Sequence, residues 1–223
     1  MRNLFTVTTA NSDPLLTTAE ARAAVGITDT SRDADLTRLV ARISAAIYRA
    51  SKVRTDGVHA PTLLSESVTE TFRSTTFETC GLKSLLLSRR RISDIETITE
   101  GTTELVDADF EYDAASGELF RLGSSDVTVW PSGLITVEYI AGLIAPSDDL
   151  KLAAETWLRA LWRDAYQTPA TILDPFEKVV EIPGVIRRER WISAMTVNAD
   201  MSLMPAEVES ILYDGGYIET WVA

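Results

Sequence analysis

The segment from Asp148 to Trp162 constrains this chain more than any other. Leu150, Ala153, Ala154, Trp157, Leu158, Leu161 and Trp162 recur at three-and-four spacing behind the opening Ala145-Pro146-Ser147-Asp148. That period places all seven on one side of an α-helix, in a stripe wider than a coiled-coil seam. Two tryptophans and several leucines fully covered contribute on the order of ten kcal/mol before ordering entropy is subtracted, so such a helix folds against something. Trp157, Leu158, Leu161 and Trp162 are the expected centre of a helical core, and Thr168-Pro169 ends the helix.

A second amphipathic helix starts near Asp33 and runs through Leu36, Leu39, Val40, Ile43, Ala46, Ile47 and Ala50. Arg38, Arg42 and Arg49 fall on its other side. Before it, Thr17 or Thr18 caps a short helix over Ala19 to Val25, which Gly26 stops. Near the end, Pro205 opens a short helix holding Val208, Ile211 and Leu212, and Gly215-Gly216 closes it. A tail with Tyr217, Ile218 and Trp221 follows, costly to leave in water and therefore a docking candidate.

Other segments have the period of strands. Leu4 to Thr8 is one; Ser65 to Thr79, rich in hydroxyls around Val68, Phe72, Thr76 and Phe77, favours strand over helix. Ile92, Ile95 and Ile98 fit either a strand with an irregularity or one helical turn. Phe110 to Asp113 and Glu118 to Leu122 form a hairpin with Gly117 in its turn. After Trp130-Pro131-Ser132-Gly133, Ile135, Val137 and Tyr139 alternate with Thr136 and Glu138. Five or so strands thus make a small antiparallel module. The expected fold is α+β: residues 1–60 and 142–223 as helical parts of one body, residues 61–141 as an inserted β-rich module. Residues 169–200, broken by Pro175, Pro183 and Gly184, are expected to be extended or partly helical.

Chemistry is sparse. One cysteine, Cys80, and one histidine, His59, exclude disulfide frameworks within the chain and metal sites built from several thiolates or imidazoles. Cys80 can be a nucleophile or a small buried hydrophobe, and His59 sits in an ordinary Gly-Val-His-Ala-Pro loop. Gly101-Thr102-Thr103 and Gly123-Ser124-Ser125 lack the spacing and lysine of a phosphate loop. Asp107, Asp109 and Asp113 lack the glycine and terminal glutamate of a calcium loop. No catalytic residue, cofactor or metal is expected. Neither a signal peptide nor a membrane span is expected, since Asp13 and several threonines interrupt the N-terminal apolar residues.

Charge narrows the partners. Residues 1–99 hold thirteen bases and eleven acids, whereas residues 100–223 hold eight bases and twenty-two acids, so the chain's net charge of -12 resides in its second half. That balance disfavours gripping phosphates over a broad surface. Arg89-Arg90-Arg91 could contact phosphates but makes a very small footprint, and reads first as an exposed loop or an intersubunit ion-pair site; Arg187, Arg188 and Arg190 beside Trp191 could equally anchor a partner, and neither group distinguishes DNA from protein.

The order of these blocks matters. Thr17-Thr-Ala-Glu-Ala-Arg-Ala-Ala-Val-Gly-Ile-Thr is followed by Asp33-Ala-Asp-Leu-Thr-Arg-Leu-Val-Ala-Arg-Ile-Ser-Ala-Ala-Ile. Much later Trp130-Pro-Ser-Gly-Leu-Ile-Thr-Val-Glu-Tyr-Ile-Ala-Gly-Leu leads into Pro146-Ser-Asp-Asp-Leu-Lys-Leu-Ala-Ala-Glu-Thr-Trp-Leu, and Met204-Pro-Ala-Glu-Val-Glu-Ser-Ile-Leu lies near the end. Together they resemble the head-tail connector, or adaptor, proteins of tailed bacteriophages and prophages, over around half the chain. The resemblance implies a structural subunit of the virion neck, made in the host cytoplasm, whose copies form a ring, commonly twelvefold, beneath the portal protein. Double-stranded DNA passes through such rings without being read, and a stopper or tail protein binds below. In the family C-terminal segments often reach toward the portal, which fits docking by Tyr217, Ile218 and Trp221; read from the residues themselves, Arg38, Arg42, Arg49, Arg89, Arg90 and Arg91 are candidates for contacts between subunits. A stopper or tail-completion protein is the alternative within assembly; a small-ligand or enzymatic domain around Cys80 and His59 is the alternative outside it. The strand-rich middle departs from the shorter members of the family.

Overall fold

The computed structural model describes residues 2–74, 82–123, 126–166, 177–182, 185–190 and 204–218. It is an α+β fold of two compact units, one comprising Met1–Asp13 with Ser51–Ser147 and the other Pro14–Ala50 with Asp148–Ala223. The chain's first residues thus belong to the unit that holds the strands. The reason is β1 (Arg2–Thr9), which pairs antiparallel with β2 (Glu66–Ser74) and buries Phe5 and Val7.

The first unit is built on a five-stranded antiparallel sheet in the order β1-β2-β9-β4-β5, where β4 is Ile92–Glu100, β5 Thr103–Glu104 and β9 Gly133–Ala141. A second sheet orders β3 (Ser84–Leu86), β7 (Glu118–Leu122) and β6 (Phe110–Asp113), with β8 (Val127–Thr128) paired to β7 and a short 3-10 turn at Asp107–Asp109 leading into β6. Gly117 takes the left-handed φ of 81° in the β6–β7 turn, and a Cβ there would lie 3.0 Å from the Arg89 carbonyl. Val68, Phe72, Ile98, Leu119, Trp130, Ile135, Val137 and Tyr139 fill the core.

Strand β4 resolves the ambiguity of its isoleucines. Ile92, Ile95 and Ile98 pair with Ala141, Tyr139 and Val137, so three residues of β4 span two of β9 at each step. Irregularities between Ile92 and Asp94 and between Ile95 and Thr97 absorb the extra residues and keep all three isoleucines on the core side. A helical spacing is thus read out by a doubly bulged strand.

The second unit contains α1 (Thr18–Val25), α2 (Asp33–Ala50), α3 (Asp148–Tyr166) and α4 (Ala206–Asp214). The Thr17 side chain accepts from the Glu20 N–H while the Glu20 carboxylate accepts from the Thr17 N–H, and Gly26 closes α1 at a φ of 74°. Helix α3 is the hub, packing against α1, α2 and α4. Leu36, Val40, Ile43, Ile47, Leu150, Ala153, Ala154, Trp157, Leu158, Val208 and Leu212 are buried. Leu161 is only half-buried, whereas Trp162, one residue on, is covered and stacks on Tyr166 with ring centroids 4.2 Å apart. Between α3 and α4, β10 (Glu177–Ile182) and β11 (Val185–Arg190) form an antiparallel pair inside the stretch expected to be extended or partly helical.

Candidate functional site

Three separate features are candidates, one in the strand unit and two in the helical unit: a buried polar network, the arginines of α2, and the C-terminal helix with its apolar exit.

The network arises from β2, where Glu66 and Glu70 alternate with Val68 and Phe72 and share their inward face. Two carboxylates therefore enter the interior and need partners. Glu66 Oε2 accepts from Arg89 Nη2 at 2.5 Å, and Arg89 Nη1 donates to the Thr62 carbonyl at 3.0 Å. Glu70 accepts from the Tyr139 hydroxyl at 3.0 Å, the Ser88 N–H at 2.9 Å and the Ser88 hydroxyl at 2.5 Å. Asn3 Nδ2 also donates to Glu70, and Arg54 Nη1 lies 3.7 Å from it. Arg54 and Arg89 place their guanidinium carbons 5.3 and 5.6 Å from the centre of the Phe5 ring. Burial pushes the Glu66 carboxyl up against the opposing pull of Arg89, and burial lowers the Arg89 guanidinium against that of Glu66. Burial, then the Glu70 charge, raises the Tyr139 phenol far above its ordinary range.

This network corrects the exposed reading of Arg89. At 6% exposure its charge is consumed by Glu66 within the chain, because the segment after β3 crosses the inward carboxylates of β2. Arg90 and Arg91 remain exposed, with Arg91 at a left-handed φ of 61°. The alternation of Glu66 and Glu70 with Val68 and Phe72 was the sequence signal for this cluster, and a reading centred on apolar positions passes over it.

On α2, Arg38, Arg42 and Arg49 are exposed. Arg38 pairs with Asp35 at 3.1 Å, while Arg42 and Arg49 make no ion pair among the described residues. Tyr217 and Ile218 are half-buried, Tyr217 donating its N–H to the Leu212 carbonyl at 2.9 Å and laying its ring against Gly215. Tyr213 stays half exposed on α4. Trp221 lies outside the described residues, as do Cys80 and Trp191; the side chains of Arg187, Arg188 and Arg190 are likewise not described.

The described partner of the His59 ring is Asp56. The ring Nδ1 is 2.8 Å from Asp56 Oδ2, and Asp56 also accepts from the backbone N–H groups of Val7, Val58 and His59. Those donors hold the Asp56 carboxyl well below its usual range, led by the His59 backbone N–H. The pair fastens the loop over β1. Among the described residues no group of three or more His, Cys, Asp or Glu side chains could hold a metal ion, and no helix is long and apolar enough to cross a membrane.

No protein-family model matches the chain, and no curated protein matches it. Among solved structures, it is similar to a chain in the virion of the native gene transfer agent (GTA) particle, at 17% identity and a TM-score of 0.48 over 78% of this chain and 90% of that one. It is similar also to a chain in the neck of the empty GTA particle computed with C6 symmetry, at 19% identity and a TM-score of 0.47 over 77% and 89% of the two chains. A chain in the neck of the native GTA particle computed with C12 symmetry gives 18% identity and a TM-score of 0.44 over 76% and 88%.

Proposed function

We propose that this chain is a structural, non-catalytic subunit of the head-tail neck of a tailed-phage-like particle, a connector whose copies form a ring beneath the portal. Genome DNA passes through the ring, and a stopper or tail protein binds below. The observation that carries the reading is the agreement between the connector-like blocks of sequence and discrete elements. Block by block they coincide with capped α1, amphipathic α2, the run through β9 into α3, and α4. The four helices, separated by more than ninety residues of chain between α2 and α3, fold into one unit. A shared body with an insertion that varies between members is what such a family produces.

Within this reading Tyr217, Ile218 and Trp221 dock on the portal, and the exposed Arg38, Arg42 and Arg49 face carboxylates of a neighbour. The acidic second half keeps the passage from holding DNA tightly, since every phosphate contact would slow transit. Reconstitution with the portal protein of the same particle tests the assignment. The expected result is a portal-bound ring seen by cryo-EM on the tail-facing side. A particle map placing the chain away from the neck would refute it.

A further inference from the structure

The five-stranded sheet carries opposite charge at its two edges, at the same level of the sheet. Register runs straight across it from Leu4 to Thr71, Thr136, Thr99 and Glu104, and two rows on, on the same face, Arg2 stands opposite Arg73. The β1 edge thus presents Leu4, 68% exposed, with exposed Arg73 on the same outer face, while the half-exposed guanidinium of Arg54 closes the edge from the Phe5 side. Among the described residues, the carboxylates against Arg54 and His59 there, Glu70 and Asp56, have buried side chains. Across about four strand spacings, or roughly 19 Å, the β5 edge presents Glu104, Val106 at 64% exposure and Asp107. Between Ile92 and Leu150 the chain has thirteen acids and a single base, Arg121, which is taken up by Glu100 at 2.8 Å and Asp109 at 3.6 Å. Each edge therefore has an exposed aliphatic side chain flanked by one sign of charge, and Arg73, Glu104 and Asp107 make no ion pair among the described residues.

We infer that a second copy of this chain occupies each edge: the β1 edge of one copy docks on the Thr103–Asp107 edge of the next, Leu4 against Val106 and arginines against carboxylates. Two different patches of one molecule meeting in this way make a head-to-tail contact, the kind that closes into a ring or continues as a filament. The contact runs through side chains and adds no continuous ladder. The Asn3 carbonyl and the Val7 N–H are already bonded to Arg54 and Asp56. Charge complementarity fixes the direction, because β1 against β1 would bring arginines together and β5 against β5 would bring carboxylates together.

The inference deepens the ring reading and rests on it only in that copies meet. It is tested without any neck partner, so its failure leaves portal binding as the separate judge of the neck assignment. Sedimentation of the full chain at about 50 mM salt should show concentration-dependent self-association, weakened about tenfold or more at several-fold higher salt. Arg73→Glu, and separately Glu104→Arg with Asp107→Arg, should each lose that association, and an equimolar mixture of the two variants should regain it through the reversed pair. Because the mixture recovers only if both variants are folded, misfolding cannot mimic the result. A wild-type chain that stays monomeric, variants that associate as wild type, or a mixture that fails to recover while both variants retain their circular dichroism each overturns the inference.

Discussion

Arg89→Met should be among the most damaging single changes in the strand unit. It removes the 2.5 Å partner of Glu66 and the 3.0 Å donor to the Thr62 carbonyl, and both of those residues are essentially sealed from water. Glu66 retains only a weak acceptance from the Asn11 N–H at 3.3 Å. An orphaned buried carboxylate costs roughly 3–5 kcal/mol, a large share of the stability of a unit of this size. The sign of the pH response follows from the charge left behind. Burial already raises the Glu66 pKa, and without Arg89 it rises further. A group whose folded pKa lies above its unfolded value favours the fold when protonated, so the deficit is complete above the folded pKa and shrinks as pH falls through it. Urea unfolding of wild type and variant near neutral pH and again near about pH 5 reads both quantities. Replacing both partners with methionine should cost far less than the single change, since the pair's desolvation is removed with its attraction. A deficit below about 1 kcal/mol, or one equally large at both pH values, would refute the argument that Arg89 neutralises a sealed carboxylate.

In the helical unit, Trp157→Ala should cost about 3–5 kcal/mol by opening a cavity beneath α3, read as a lowered midpoint in chemical denaturation. Trp157→Phe should lose much less, because Nε1 has no hydrogen-bond partner among the described residues. The Glu20 carboxyl is held at about 2, first by the Lys151 ammonium donating at 2.7 Å and then by the Thr17 backbone and hydroxyl. Its contribution is present above the ordinary glutamate pKa and is lost as pH falls toward about 2, so Lys151→Met should flatten the acid limb of the stability profile. Truncation after Gly216 should weaken portal association while the melting temperature of the body is nearly retained; unchanged affinity in a pull-down with portal counts against the docking tail.

The helices were legible because their information is local. Thr17 and Glu20 cap α1, Gly26 ends it, and the apolar spacing of Asp33–Ala50 and Asp148–Tyr166 names the buried faces without knowledge of the partner. The hairpin around Gly117 and the alternation of Ile135, Val137 and Tyr139 were legible for the same reason. Pairing across long separations was not. That β1 lies beside β2, sixty residues away, depends on which edge stays free after β2 has joined β9, and no local period encodes that choice.

Arg89 shows the same limit in one side chain. Three consecutive arginines look alike in sequence, and only the crossing of their segment over β2 takes one of them inside to Glu66 while its two neighbours stay at the surface. The isoleucines of β4 show it in backbone form, since their spacing suits a helix turn until Ala141, Tyr139 and Val137 of β9 impose the bulges that bring all three to the core. Sequence alone determined which segments are helices, where they stop and which sides of them shun water, because propensity, capping and period act within a few residues. Tertiary structure decided which strands are neighbours, which charges are buried together and which edges remain open, because each depends on contacts whose members are far apart in the chain and whose energies exist only once the whole unit has assembled.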